Sequence, residues 1–170
     1  MKTELKVKFL NHLSQKRKDE GFTLIELLVV IIIIGILSAI ALPSFLNQAS
    51  KAKQAEAKQY VGSTNRAQQA YRIENASFAS SASVLGLGLP DTTVNYAYAI
   101  TGSSDTASVT ATGQDVKSLK SFSGGVAILT VGSTAAVACQ TTGVSTSPPA
   151  ITFATGVAPT CPANTSELMK

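Results

Sequence analysis

From residue 22 the chain reads FTLIELLVVIIIIGILSAIALPSFL, and residues 27–46 are 20 successive positions without a charge. A helix of about 20 residues, rising about 1.5 Å per residue, spans the roughly 30 Å core of a bilayer. The β-branched run 29–34 favours a strand in water, but in lipid only a helix satisfies its backbone hydrogen bonds within one segment. Lys51 and Lys53 mark the far boundary, where the pattern thins into KAKQAEAK, strong helix formers. Ala57, Tyr60, Val61, Thr64, Ala67 and Tyr71 then recur at steps of three and four, a weak stripe facing the rest of the protein, with Arg66, Gln68, Gln69 and Arg72 on other faces. Glu56 lies one turn from Lys53 and can pair with it. The spacing predicts one helix from Phe22 to Glu74, roughly 80 Å long at the usual rise. Its apolar half requires a bilayer or copies of itself.

The texture changes after Asn75. Residues 76–90 form a Ser/Ala/Gly/Leu loop without clear period. Val94, Tyr96, Tyr98 and Ile100 alternate with small or polar residues, as do Ala107, Val109 and Ala111; the two runs predict paired strands around a turn at 101–105. The apolar run 126–131 predicts a buried central strand, and Val137 and 151–153 further short strands. The glycine pairs Gly86/Gly88 and Gly124/Gly125 read as turns. The economical fold is α+β: a long N-terminal helix with an antiparallel sheet of about four strands on its C-terminal half.

Two features separate the apolar segment from a plain anchor. Glu26 stands among Phe22, Leu24, Ile25, Leu27 and Leu28; a carboxylate in hydrocarbon normally has a partner, although one at headgroup level is a wet helix-start acid favoured by the helix dipole. Pro43 cannot donate to the helix ladder, so a kink is expected there, with Gly35 a second soft point. Residues 1–46 admit three readings: a permanent single-pass anchor, a secretory signal cut after Ala41 in the A-x-A-like run 39–41, or a cut between Gly21 and Phe22. The third leaves the apolar helix on the mature chain, with its new amine near Glu26 and able to reach a neighbouring chain's carboxylate.

Charge narrows the choice. The net charge is +4, and residues 1–21 hold six basic groups against three acids, so most of the excess precedes the apolar run. That asymmetry places the N-terminal flank in the cytoplasm. The head is nearly neutral, and Arg66, Arg72, Lys117 and Lys120 are the few cations that would serve a nucleic-acid-binding module. His12, the single histidine, lies in the basic flank, so residues 22–170 cannot build a Ser–His or Cys–His nucleophile or a histidine zinc site. Phosphate-cradling glycine motifs are absent, and the carboxylates Asp91, Asp105 and Asp115 sit among turn residues. The expectation is a protein that is not an enzyme and holds no metal or cofactor.

Cys139 and Cys161 are either free buried thiols or, outside the cytoplasm, a disulfide. A bridge closing a loop of about 20 residues stabilises by roughly 3 kcal/mol in the chain-entropy model, and the intervening residues are rich in Pro, Gly and Ser. Asn75-Ala76-Ser77 and Asn164-Thr165-Ser166 match the short N-glycosylation pattern.

The run GFTLIELLVV at residues 21–30, preceded by basic residues and followed by unbroken apolar sequence to Pro43, resembles the class III signal of type IV prepilins and the related pseudopilins. The resemblance covers roughly residues 16–50, and NRAQQAY at 65–71 is similar to the continuing helix of cyanobacterial major pilins. The leader, at 21 residues, exceeds the short leaders of many type IV pilins. The resemblance implies a leader over 1–21, a transmembrane and filament-core helix over 22–46, an amphipathic continuation over 47–75 and a β-rich head over 76–170. It implies that a prepilin peptidase cuts between Gly21 and Phe22 and methylates the Phe22 amine. Glu26 and Phe22 then serve assembly, and a Cys139–Cys161 disulfide encloses a variable surface loop. The implied partners are copies of the same chain, the peptidase/methyltransferase, the inner-membrane assembly machinery and, before assembly, membrane lipid. The implied location is the plasma membrane as a single-pass precursor, then extracellular filaments serving motility, adhesion or DNA uptake. A pseudopilin of type II secretion and a tethered or tip binding module are the alternatives.

Overall fold

The computed structural model describes residues 7–8, 21–163 and 166–169. The leader apart from Gly21 and residues 7–8, with His12 and most of the basic flank, lies outside the described residues, as does Asn164. Two compact units divide the chain, Met1–Leu46 and Asn47–Lys170. Helix α1 (Leu24–Glu74) starts two residues later than the pattern predicts, because Thr23 caps it, and runs without interruption through Gly35 and Pro43. Within the first unit every residue of α1 is exposed in the isolated chain.

In the second unit α1 lies against a five-stranded antiparallel sheet of β1 (Tyr96–Gly102), β2 (Thr106–Gly113), β3 (Phe122–Ile128), β4 (Thr134–Thr141) and β5 (Ser166–Leu168), arranged in chain order. The alternation expected for β1 and β2 holds: Tyr96, Tyr98, Ala107, Val109 and Ala111 are buried on the helix side. Tyr96, Tyr98, Val109 and Ala111, with Phe122 and Leu119, cluster with Ala57, Tyr60 and Val61 of α1, while Ala107 packs with Phe78 and Val126. Val94 does not join that face; it precedes β1 and is 93% exposed. Polar residues also enter the helix–sheet interface. Asn65 and Gln68, spaced four residues from Val61 and Thr64, are buried, whereas Ala67 and Tyr71 of the expected stripe are only half-buried.

The central strand departs furthest from expectation. β3 begins at Phe122 and includes Gly124 and Gly125, which are not a turn, while Val131 lies beyond it, exposed. Both glycines are required by close approach. A methyl group on Gly124 would stand 2.6 Å from Asn65 Oδ1 and 2.7 Å from Val61 Cγ1 on the helix side. On Gly125 it would stand 2.9 Å from both Ile151 Cγ2 and Phe153 Cζ, on the opposite face. Gly86 and Gly88, by contrast, have positive φ and do serve turns. Residues 151–153 are therefore not a strand of the sheet but a cover over its outer face, joined by the isolated Thr152–Thr160 bridge. The short strand β5, pairing Cys139 with Leu168, has no apolar run to announce it.

Candidate assembly site

Phe22 is 89% exposed, and Gly21 has open space where a side chain would stand, so the Gly21–Phe22 peptide bond lies in accessible backbone before α1. The first turn is closed by a reciprocal cap. The Glu26 N–H donates to Thr23 Oγ1 at 3.3 Å, and the Thr23 N–H and hydroxyl both donate to Glu26 Oε2 at 2.8 Å. Thr23 and Glu26 thus satisfy helix-end donors that have no partner within the helix. Glu26 has neutral partners in its own chain, and no cation is needed to hold it at the helix start. The Thr-x-x-Glu spacing ahead of the apolar run carries this signal in the sequence, and it is the residue Thr23 that the pattern reading overlooks. After this cap, α1 presents Ile25, Ile32, Ile40 and Phe45 among many exposed apolar side chains, a stretch of mean hydropathy 3.0 long enough to cross a membrane.

In the head, Glu56 does not turn to Lys53 for its hydrogen bonds. Its Oε1 accepts from the Thr93 hydroxyl at 2.5 Å and the Tyr98 hydroxyl at 3.2 Å, and its Oε2 from the Asn95 amide at 2.9 Å. Burial pushes the carboxyl up, but these three bonds to the charged form outweigh it and hold Glu56 below its ordinary value of 4.5. Burial, and then the Glu56 charge, push the phenols of Tyr96 and Tyr98 up. The Tyr98 ring stacks on Tyr60 with centroids 3.6 Å apart. Gln68 makes a second clasp: its amide donates to the Ala79 carbonyl at 2.7 Å and accepts from the Ala79 N–H at 2.9 Å.

Cys139 and Cys161 form a disulfide with Cα atoms 5.7 Å apart. It ties β4 to the segment that crosses the outer face of the sheet, where Ser145 and Gly156 also bond to Leu119 and Thr130. The four head cations are not gathered into one binding surface by shared contacts. Lys120 pairs with Glu167 at 3.3 Å, and Arg72 donates to the Asn75 carbonyl and stands 6.0 Å from the Phe78 ring centroid. Asp91, Asp105 and Asp115 fall in three separate connections, before β1, between β1 and β2 and between β2 and β3. Asp115 holds a local turn through Ser118 and the Lys117 N–H. The Asn75 amide donates to Tyr71 O and so closes the C-terminal end of α1.

Comparison with known proteins agrees with this arrangement. A profile of the family type IV pilin-like G and H matches residues 54–162, and one for the prokaryotic N-terminal methylation motif matches residues 16–42. The type IV wide pilus major component PilA4 of Thermus thermophilus is 38% identical over 89 residues, 52% of this chain and 68% of its own length. The type IV major pilin protein PilA of Myxococcus xanthus is 37% identical over 49% of this chain and 37% of its own. The type II secretion system core protein G of Pseudomonas aeruginosa is 36% identical over 39% of this chain and 46% of its own. An exposed apolar helix with a capped acid at its start, continuous with a helix packed on an antiparallel sheet, and a profile match over most of that head place the chain in one family: it belongs to the type IV pilin-like G and H proteins.

Proposed function

We propose that this chain is the precursor of a structural subunit of a type IV pilus. The supporting observation is the apolar half of α1, in which every side chain is exposed in the isolated chain. Contiguous apolar surface on that scale marks a membrane or a protein interface. In this reading residues 1–21 are a cytoplasmic leader removed by a prepilin peptidase that also methylates Phe22. Residues 22–46 rest in the plasma membrane and then pack as the filament core. Residues 47–75 carry the head at 76–170 to the filament surface. Gly35 and Pro43 are the points at which the packed helix yields.

Apolar helices gain little hydrophobic free energy from one another in lipid, so close packing and polar pairing select their partners. Once Phe22 becomes the N-terminus, its amine is a cation that competes with the Thr23 donors for a neighbouring subunit's Glu26, because it adds a charge–charge attraction that the neutral Thr23 groups lack. Pairing fixes the axial register between adjacent subunits. Sequencing and weighing sheared surface filaments tests the reading: the expected subunit begins at methylated Phe22, and a subunit beginning at Leu42, or a protein found only as a soluble monomer, overturns it. Gly21→Arg is expected to leave the leader attached. The relatives named as core protein G of type II secretion favour a second reading, a pseudopilin, which predicts that the chain is scarce in sheared filaments rather than dominant.

A further inference from the structure

The outer edge of β1 is covered by two loop segments, one toward each end. Residues 91–95 form the first strap: the Tyr98 N–H donates to Asp91 O at 2.7 Å, the Thr93 N–H donates to Tyr96 O at 2.8 Å, and Thr92 pairs with Ala97 as an antiparallel bridge. Phe78 and Ala79 form the second. The Phe78 N–H donates to Ser103 O at 2.8 Å, and a methyl group on Gly102 would fall on the Ala79 carbonyl. Each strap is fastened to α1 by one polar side chain, the first by Glu56 through Thr93 and Asn95, the second by Gln68 through both backbone groups of Ala79. The fasteners differ in one property. Gln68 is neutral at every pH, whereas Glu56 loses its charge in acid.

We propose that the strap 91–95 is an acid-released cover on the edge of β1 with Glu56 as its catch, and that the strap at Phe78 and Ala79 is its pH-insensitive counterpart. All three neutral groups donate to the Glu56 carboxylate, and once one oxygen carries a proton that oxygen becomes a donor, so at least one of the three bonds must break or turn round. The titratable groups around the catch are the phenols of Tyr60, Tyr96 and Tyr98 and, next to Tyr60, Asp91. Lys53, one turn earlier on α1, acts on Asp115. The phenols do not titrate in acid, which leaves Glu56 and Asp91 as the groups to separate. Because the folded value of Glu56 is depressed, its contribution is complete above the ordinary value of 4.5 and is lost as pH falls through the folded value. Release bares backbone N–H and C=O groups of a strand edge, the surface that sheet proteins otherwise protect.

Amide hydrogen exchange on the full chain in detergent micelles, corrected for intrinsic rates between neutral pH and about pH 3, tests the proposal. Protection at the Tyr98 and Thr93 amides is expected to fall about tenfold or more relative to β3 amides while Ala79 holds its protection. Glu56→Gln is expected to show the weakened strap at neutral pH and no further response to acid, and Asp91→Asn to respond as the parent does. Loss of protection at the strap, Ala79 and β3 in step, or an unchanged Tyr98 amide in acid, overturns the proposal, as does a parent-like response in Glu56→Gln. Should Glu56→Gln not fold, Asn95→Ala removes one donor to the charged form and is expected to move release to higher pH; an unmoved midpoint overturns the catch.

Discussion

At the residue scale the helix–sheet contact is closest at Gly124, where a single added carbon meets Asn65 and Val61 of α1 and Val109 of β2. Overpacking an interface of this kind costs about 1–3 kcal/mol, so Gly124→Ala is expected to lower the unfolding free energy by that amount, read as a lower urea midpoint at unchanged slope. Gly143→Ala, with open space around it and no positive φ, is expected to leave the midpoint unchanged. A sequence cannot distinguish a glycine that turns the chain from one that makes room for side chains packed against the strand, since both need the missing side chain. That is why Gly86 and Gly88 are legible as turns and Gly124 and Gly125 are not. Glu56 and Gln68 are hidden for a related reason. Lys53 lies one turn from Glu56 and is visible as a partner, whereas Thr93, Asn95 and Tyr98 lie 37 to 42 residues away and become neighbours only through the fold. The Thr23–Glu26 cap spans a single turn and could be read directly.

At the element scale α1 and the β1–β2 hairpin were legible because their periods of 3.6 and 2 run over many residues. β5 and the cover at 151–153 were not. Their roles depend on where Cys161 and Phe153 land against β4 and β3, and three-residue segments carry no period. The disulfide spans 22 positions of sequence, so removing it by Cys139→Ala with Cys161→Ala is expected to lower stability by roughly 3 kcal/mol in the chain-entropy account. Denaturant unfolding of the double variant against the parent measures it. The loss is expected to be concentrated in the outer cover and β5, with exchange protection in β1 and β2 nearly unchanged.

At the scale of the whole molecule, the proposed filament would make assembly a contest for Glu26 between the chain's own N-terminal cap and a neighbouring subunit. Glu26→Ala is expected to be processed and to remain in the membrane, yet to yield filaments reduced on the order of tenfold or more, because the pairing proposed to set the register is gone. Immunoblots of membrane and sheared fractions separate that outcome from failed processing, and normal filament yield counts against intersubunit pairing. Thr23→Val, which keeps Glu26 but removes the hydroxyl cap, is expected to retain assembly. The sheet bears on how such a subunit reaches its final form. Its spatial order repeats its order in the chain, so no strand has to slip between two already joined. A polypeptide that leaves the ribosome or a translocation channel from its N-terminal side can therefore lay down each new strand on the preceding one, and late-emerging sequence never waits on a gap held open for it.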